Sequence, residues 1–178
     1  NLLLLSAFMH QLFNGGFADE AEIQQASGRF GVHIPQQPYC LVSFRLPQVR
    51  ELLLQSREHV IRTMMAQNAV LECLRYLFDE PLLVYQASLD ETIWIHSLSG
   101  QDSEQELLDL LDRIVRWLDE HKTAISIRYS RPFIELSNSW WELAQLRHAR
   151  PETWQQAGKS SIEFVRGVLG QSAEPTWQ

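Results

Sequence analysis

Asp90 and Glu91 stand between two apolar runs, Leu82-Leu83-Val84-Tyr85 and Thr92-Ile93-Trp94-Ile95, with His96 directly after the second. Two carboxylates near an imidazole are the residue types of acid–base chemistry, and carboxylate oxygens are what hard divalent cations bind. Their position argues against both. The runs read as a β-hairpin around Ser88-Leu89-Asp90-Glu91, since the intervening turn is too short for a crossover helix. A hairpin end holds its side chains in water. The expectation is that Asp90 and Glu91 are hydrated turn residues, and that replacing both changes stability by no more than about half a kcal/mol.

Other residues that could do chemistry lack a pattern. The six histidines, His10, His33, His59, His96, His121 and His148, include no pair at the i, i+4 spacing of helical zinc motifs. Cys40 lies in a strand-like run and Cys73 in a helical one, without CxxC spacing, so both read as small buried apolar side chains. No G-x-S-x-G or P-loop string occurs. Trp140 and Trp141 are neighbours on a helical stretch, where successive residues point about 100° apart. One ring is expected in the core, and the other is free for a partner contact.

The elements that must position these groups are legible from periodicity. Leu2 to Phe13 reads as a helix ended by Asn14-Gly15-Gly16, and Asp19 to Phe30 as a second. Tyr39 to Leu46 is a strand-like run after a proline-rich break. From Pro47 to Phe78 apolar residues recur at helical spacing, as one helix or two, through Val49, Leu52 and Leu53 to Leu71, Leu74 and Phe78. After the hairpin, Ser103 and Glu106 form a capping box for a helix with Leu107, Leu111, Ile114 and Leu118 on one face. Ala124 to Tyr129 alternates as a strand, Ser137 to His148 is helical, and Ser160 to Val165 reads as a last strand. The class is α+β. The middle of the order predicts a ferredoxin-like, split β-α-β sheet flanked by helices, with an N-terminal helical segment over 1–35, the α+β domain over 36–170 and a tail over 171–178.

Composition bounds the function. The 178-residue chain is 45% hydrophobic and 21% charged, enough for a core without disulfide or metal staples. Its net charge of −7, with 15 scattered basic residues, offers no stripe for a phosphate backbone, so direct nucleic-acid binding by this segment is not expected. The longest apolar stretch, Leu2 to Phe13, is too short to span a bilayer. The chain opens on Asn1, which fits a piece of a larger polypeptide.

The order of elements, with a hairpin between a long helical region and a capped helix, resembles the GGDEF domain of diguanylate cyclases. It is more similar still to the GGDEF-like central domains of AraC-type and YesN-like bacterial transcription regulators. The residues carrying the resemblance are Leu2 to Phe13 with Asn14-Gly15, Gly31-Val32-His33-Ile34-Pro35, the Tyr39 to Leu46 run, Ile125 to Pro132, Leu136-Ser137, and Trp140 through Ala149. In active members the hairpin turn is Gly-Gly-Asp/Glu-Glu-Phe, which here corresponds to Ser88, Leu89, Asp90, Glu91 and Thr92. The two glycines are replaced, and side chains at Ser88 and Leu89 fill space that a nucleotide's close approach needs empty. The family also places an Asp near the end of its first strand, where this chain has Ser43, Phe44 and Arg45. A cation at Arg45 repels a metal.

The resemblance therefore implies a cytoplasmic, non-catalytic sensing or signal-relay domain of a transcription regulator, without cofactor or metal, soluble or as the cytoplasmic part of a membrane-anchored protein. A GTP-binding or weakly active cyclase relative, and a small-molecule module enclosed by the sheet and the Trp140 helix, are the alternatives. Expected partners are a second copy or neighbouring domains of the same polypeptide. The opening helix supplies a candidate surface, because Leu2, Leu5, Met9 and Leu12 follow a coiled-coil seam, widened by Leu4 and Phe8.

Overall fold

The structure is a computed structural model that describes residues 2–46, 57–79, 81–98, 104–148 and 161–164. Helix α1, Leu2–Phe13, ends where expected: the Asn14 side-chain amide donates to the His10 carbonyl at 2.6 Å, and Gly15 takes a φ of 69°. Asp19 caps α2, Glu20–Phe30, by accepting from the Glu22 amide at 2.9 Å, and Gly31 closes it in the left-handed conformation. Of the long helical region, the described part is one helix, α3, Arg57–Leu77; Val49, Leu52 and Leu53 lie outside the described residues. Helix α4, Glu104–Glu120, buries Leu107, Leu111, Ile114 and Leu118 as its periodicity requires. Ser103 of the capping box lies outside the described residues. A short 3₁₀ turn, Leu136–Asn138, leads into α5, Ser139–His148.

Five strands form one sheet in the order β2-β3-β1-β4-β5. They are β1, Tyr39–Arg45; β2, Leu83–Ser88; β3, Glu91–Ser97; β4, Ser126–Tyr129; and β5, Ser161–Phe164. Each neighbouring pair among the first four is antiparallel, and β5 runs parallel to β4. Strand β1 is central. It pairs Val42 with Trp94 on one side and with Tyr129 on the other.

Alternation along the strands builds two cores, one on each face. Leu41, Leu83, Ile93 and Ile95 face α1, α2 and α5, where they meet Phe8, Ile23 and Leu143. Val42, Phe44, Trp94 and Ile127 face α3 and α4, where they meet Val70, Leu74, Leu111 and Ile114. Cys40 and Cys73 are both buried on this second side, as expected, and burial pushes each thiol up to about 12.

Helix α1 divides the role expected of it. Phe8, Met9 and Leu12 are fully buried under the sheet and Leu5 is half-buried, so most of the seam is spent inside the domain. Leu2 and Leu3 project from it at 72% and 79% exposure. Phe8→Ala is expected to cost about 3–5 kcal/mol through the cavity left between α1 and α2, and Leu3→Ala less than about 0.5 kcal/mol. Urea titration of the two variants checks the contrast; equal losses would mean α1 does not pack in this orientation.

Candidate functional site

The hairpin turn is shorter than the sequence suggests. Strands β2 and β3 extend to Ser88 and Glu91, leaving only Leu89 and Asp90 in the turn. Asp90 is half-exposed as expected. It accepts from the Ser88 hydroxyl at 2.7 Å and from Arg45 at 3.1 Å. Burial works against the charged form, but these two donors outweigh it and hold the carboxyl below its ordinary range. Leu89 is exposed.

Glu91 corrects the expectation of a hydrated turn residue. Its side chain is 3% exposed. It is the first residue of β3, directly opposite Arg45, and it points to the sheet face that α5 covers. One oxygen accepts from Arg147 of α5 through Nη2 at 2.6 Å and Nε at 3.0 Å; the other accepts from the Ser43 hydroxyl at 3.0 Å. A carboxylate removed from water persists only where such donors replace its hydration. Thr92, the next residue along, points to the opposite face, where its hydroxyl donates to Gln67 of α3. Gln67 in turn donates to the Phe44 carbonyl at 3.3 Å.

Three arginines thus link α5 to different points along the sheet. Besides Arg147, buried Arg128 of β4 donates to the Leu146 carbonyl near the C-terminus of α5 at 3.2 Å. Arg131 pairs with Glu142 at 3.4 Å, and its guanidinium lies 5.4 Å from the Trp141 ring centroid. Burial raises the Glu142 carboxyl, against the pull of Arg131. Trp140 is 46% exposed and Trp141 half-buried, so neither ring joins the core as one was expected to.

Sequence reasoning missed Arg128, Arg147 and Gln67. For Arg128 the signal was misleading: Ser126, Arg128 and Ser130 alternate with Ile125, Ile127 and Tyr129 as on a strand with one wet face. In the structure all six are buried, because α5 covers the polar side.

His96 does not join the two carboxylates. It pairs with Cys40 at the far end of β3 and faces the α3/α4 side, with its ring 4.8 Å from that of Trp94. At about 3.3 Å per residue it lies roughly 16 Å along the strand from Glu91. Burial pushes it down to about 4.

In chemical terms the hairpin end is a set of closed charge pairs. A hard cation would have to displace guanidinium groups from both carboxylates, and among the described residues no cluster of three or more His, Cys, Asp or Glu side chains could hold a metal ion. A groove of about 780 Å³ lies elsewhere, along the outer edge of β2, between Leu2 and Leu5 of α1, Phe30, Val32, and Leu74 and Phe78 at the end of α3. Trp140 does not line it.

The geometry orders three substitutions. Arg147→Ala takes the guanidinium from a buried carboxylate that keeps the Ser43 hydroxyl as a donor and is expected to cost about 3 kcal/mol. Glu91→Ala costs less, about 2 kcal/mol, because Arg147 is 43% exposed and turns to water. Asp90→Ala, which removes a surface pair, costs less than about 1 kcal/mol. Denaturant midpoints check the order, and equal losses would contradict the burial of Glu91.

His96 adds a pH dependence. Its folded-state value is depressed, so the unfolded chain takes up the proton first as pH falls. The stabilisation is complete above about pH 6.5 and is lost progressively toward about pH 4. His96→Phe should flatten that part of the acid limb in unfolding measured against pH; an unchanged slope would show that His96 titrates normally.

Compared with known proteins, the chain matches no family model, no curated protein and no solved structure.

Proposed function

We propose that this chain is a non-catalytic sensing or signal-relay domain of a bacterial transcription regulator, a degenerate relative of the GGDEF-like domains. The order β1-α3-β2-β3-α4-β4, laid out in the sheet as β2-β3-β1-β4, supports a split β-α-β core of the ferredoxin-like, cyclase-like kind.

The observation that carries the reading is at the hairpin end. Where a cyclase of this kind would need open carboxylates for metal ions, Arg45 takes Asp90 and Arg147 takes Glu91. The guanidinium groups supply within the chain the positive charge that a metal would bring. The same pairs tie the hairpin to β1 and to α5, which suits an element that transmits position rather than one that turns over substrate. Helix α5 is the natural output arm, since polar links from the sheet reach it at Glu142, Leu146 and Arg147.

Isothermal titration of the chain with GTP and Mg²⁺ is expected to give no binding heat, and incubation with both to give no cyclic di-GMP. Saturable binding favours the nucleotide-binding alternative. Product above that of an Asp90→Ala/Glu91→Ala control overturns the non-catalytic reading.

A further inference from the structure

Helix α1 and strand β2 pack on each other, and neither contains Asp, Glu, Lys or Arg. Every other described α-helix and β-strand carries at least one such residue. At the chain's average of 21% charged, a 12-residue helix and a 6-residue strand would carry about four between them. Neither element brings a fixed charge to its edge of the molecule, and Arg75 and Asp79 beside the end of α3 line the far wall of the groove there.

Among the described residues, strand β2 is outermost in the sheet, so one side of its backbone has no strand partner there. Edge strands are ordinarily protected by charged side chains, and β2, Leu-Val-Tyr-Gln-Ala-Ser, has none. Its one irregularity is a register shift between Gln86 and Ser88, which leaves Leu83 to Gln86 regular. The groove of about 780 Å³ runs along this strand, and the exposed Leu2 and Leu3 of α1 stand beside it.

We propose that the α1/β2 edge is a homodimer surface, on which β2 of one copy pairs antiparallel with β2 of a second and the exposed leucines of the two α1 helices cover each other. The occupant follows from charge. A twofold contact sets residues near the axis against their own copies, so any fixed charge there meets its like. In a chain of net charge −7, a twofold contact is favoured where the residues near the axis are uncharged, and α1 with β2 supplies such residues, while Arg75 and Asp79 at the rim of the groove are opposite in sign and can pair between copies. The exposed apolar residues of α3, Val60, Ile61, Met64 and Met65, fit less well, because Arg57, Glu58 and Arg62 are interleaved with them. The surface does not depend on the relay reading, which is tested by nucleotide binding instead.

Sedimentation equilibrium on the 178-residue chain and three variants at exposed positions, Leu3→Glu, Gln86→Lys and Met65→Glu, tests the proposal, with thermal unfolding to verify that each variant folds. The wild type is expected to be dimeric at about 100 μM. Leu3→Glu and Gln86→Lys should each weaken the dimer at least about tenfold, whereas Met65→Glu leaves it intact. A monomeric wild type, a dimer unaffected by both edge variants, or a dimer broken only by Met65→Glu overturns the assignment.

Discussion

A carboxylate can leave water only if other donors replace its hydration, and Glu91 imposes that condition on this fold. The contact joins three separate parts of the chain: Ser43 on the central strand, Arg147 on α5, and the hairpin that carries Glu91 itself. All three must arrive together. The pair is weak evidence for net stability, because its Coulombic gain is set against desolvation, but it specifies geometry strongly. Helix α5 can dock in few ways that keep Arg147 against Glu91 and Leu146 over Arg128 at once.

The two sides of the sheet are built on different terms. On the α3/α4 side, apolar stripes carry most of the packing, with α4 presenting four aliphatic side chains to the sheet and the Thr92–Gln67 link as a buried polar contact to α3. On the other side, α5 has no comparable stripe. It buries Leu143 and Leu146 but also Ser139 and Glu142, and polar links hold it. Such an interface has discrete arrangements, since sliding by one residue would orphan buried charges. A domain that passes on a change of position needs one rigid side and one side with alternatives of that kind.

On the proposed relation to GGDEF-like domains, Ser88 and Leu89 stand where that family has glycines, and Arg45 and Arg147 engage the two carboxylates that a metal would need. Different residues would close space and charge, so replacing either set alone would leave the other in place.

Much of the fold was legible because it rests on periodicities that the chain states locally. Three-four spacing placed α1, α3 and α4, runs of branched and aromatic residues placed β1 and β3, alternation placed β4, and Asp19, Asn14, Gly15 and Gly31 marked the helix ends through their own backbone preferences. The site was not legible in the same way. Glu91 and Arg147 are 56 positions apart, and nothing near either predicts the other. A carboxylate beside a two-residue turn has the local signature of a hydrated side chain, and an alternating strand such as 125–130 has the signature of one wet face. Only the docking of α5 decided otherwise, because burial belongs to whatever covers a residue and not to the residue's neighbours in sequence. For α1 the division is the same: its amino acids determined an uncharged apolar helix, and the position of the sheet determined that Phe8, Met9 and Leu12 are core while Leu2 and Leu3 face outward.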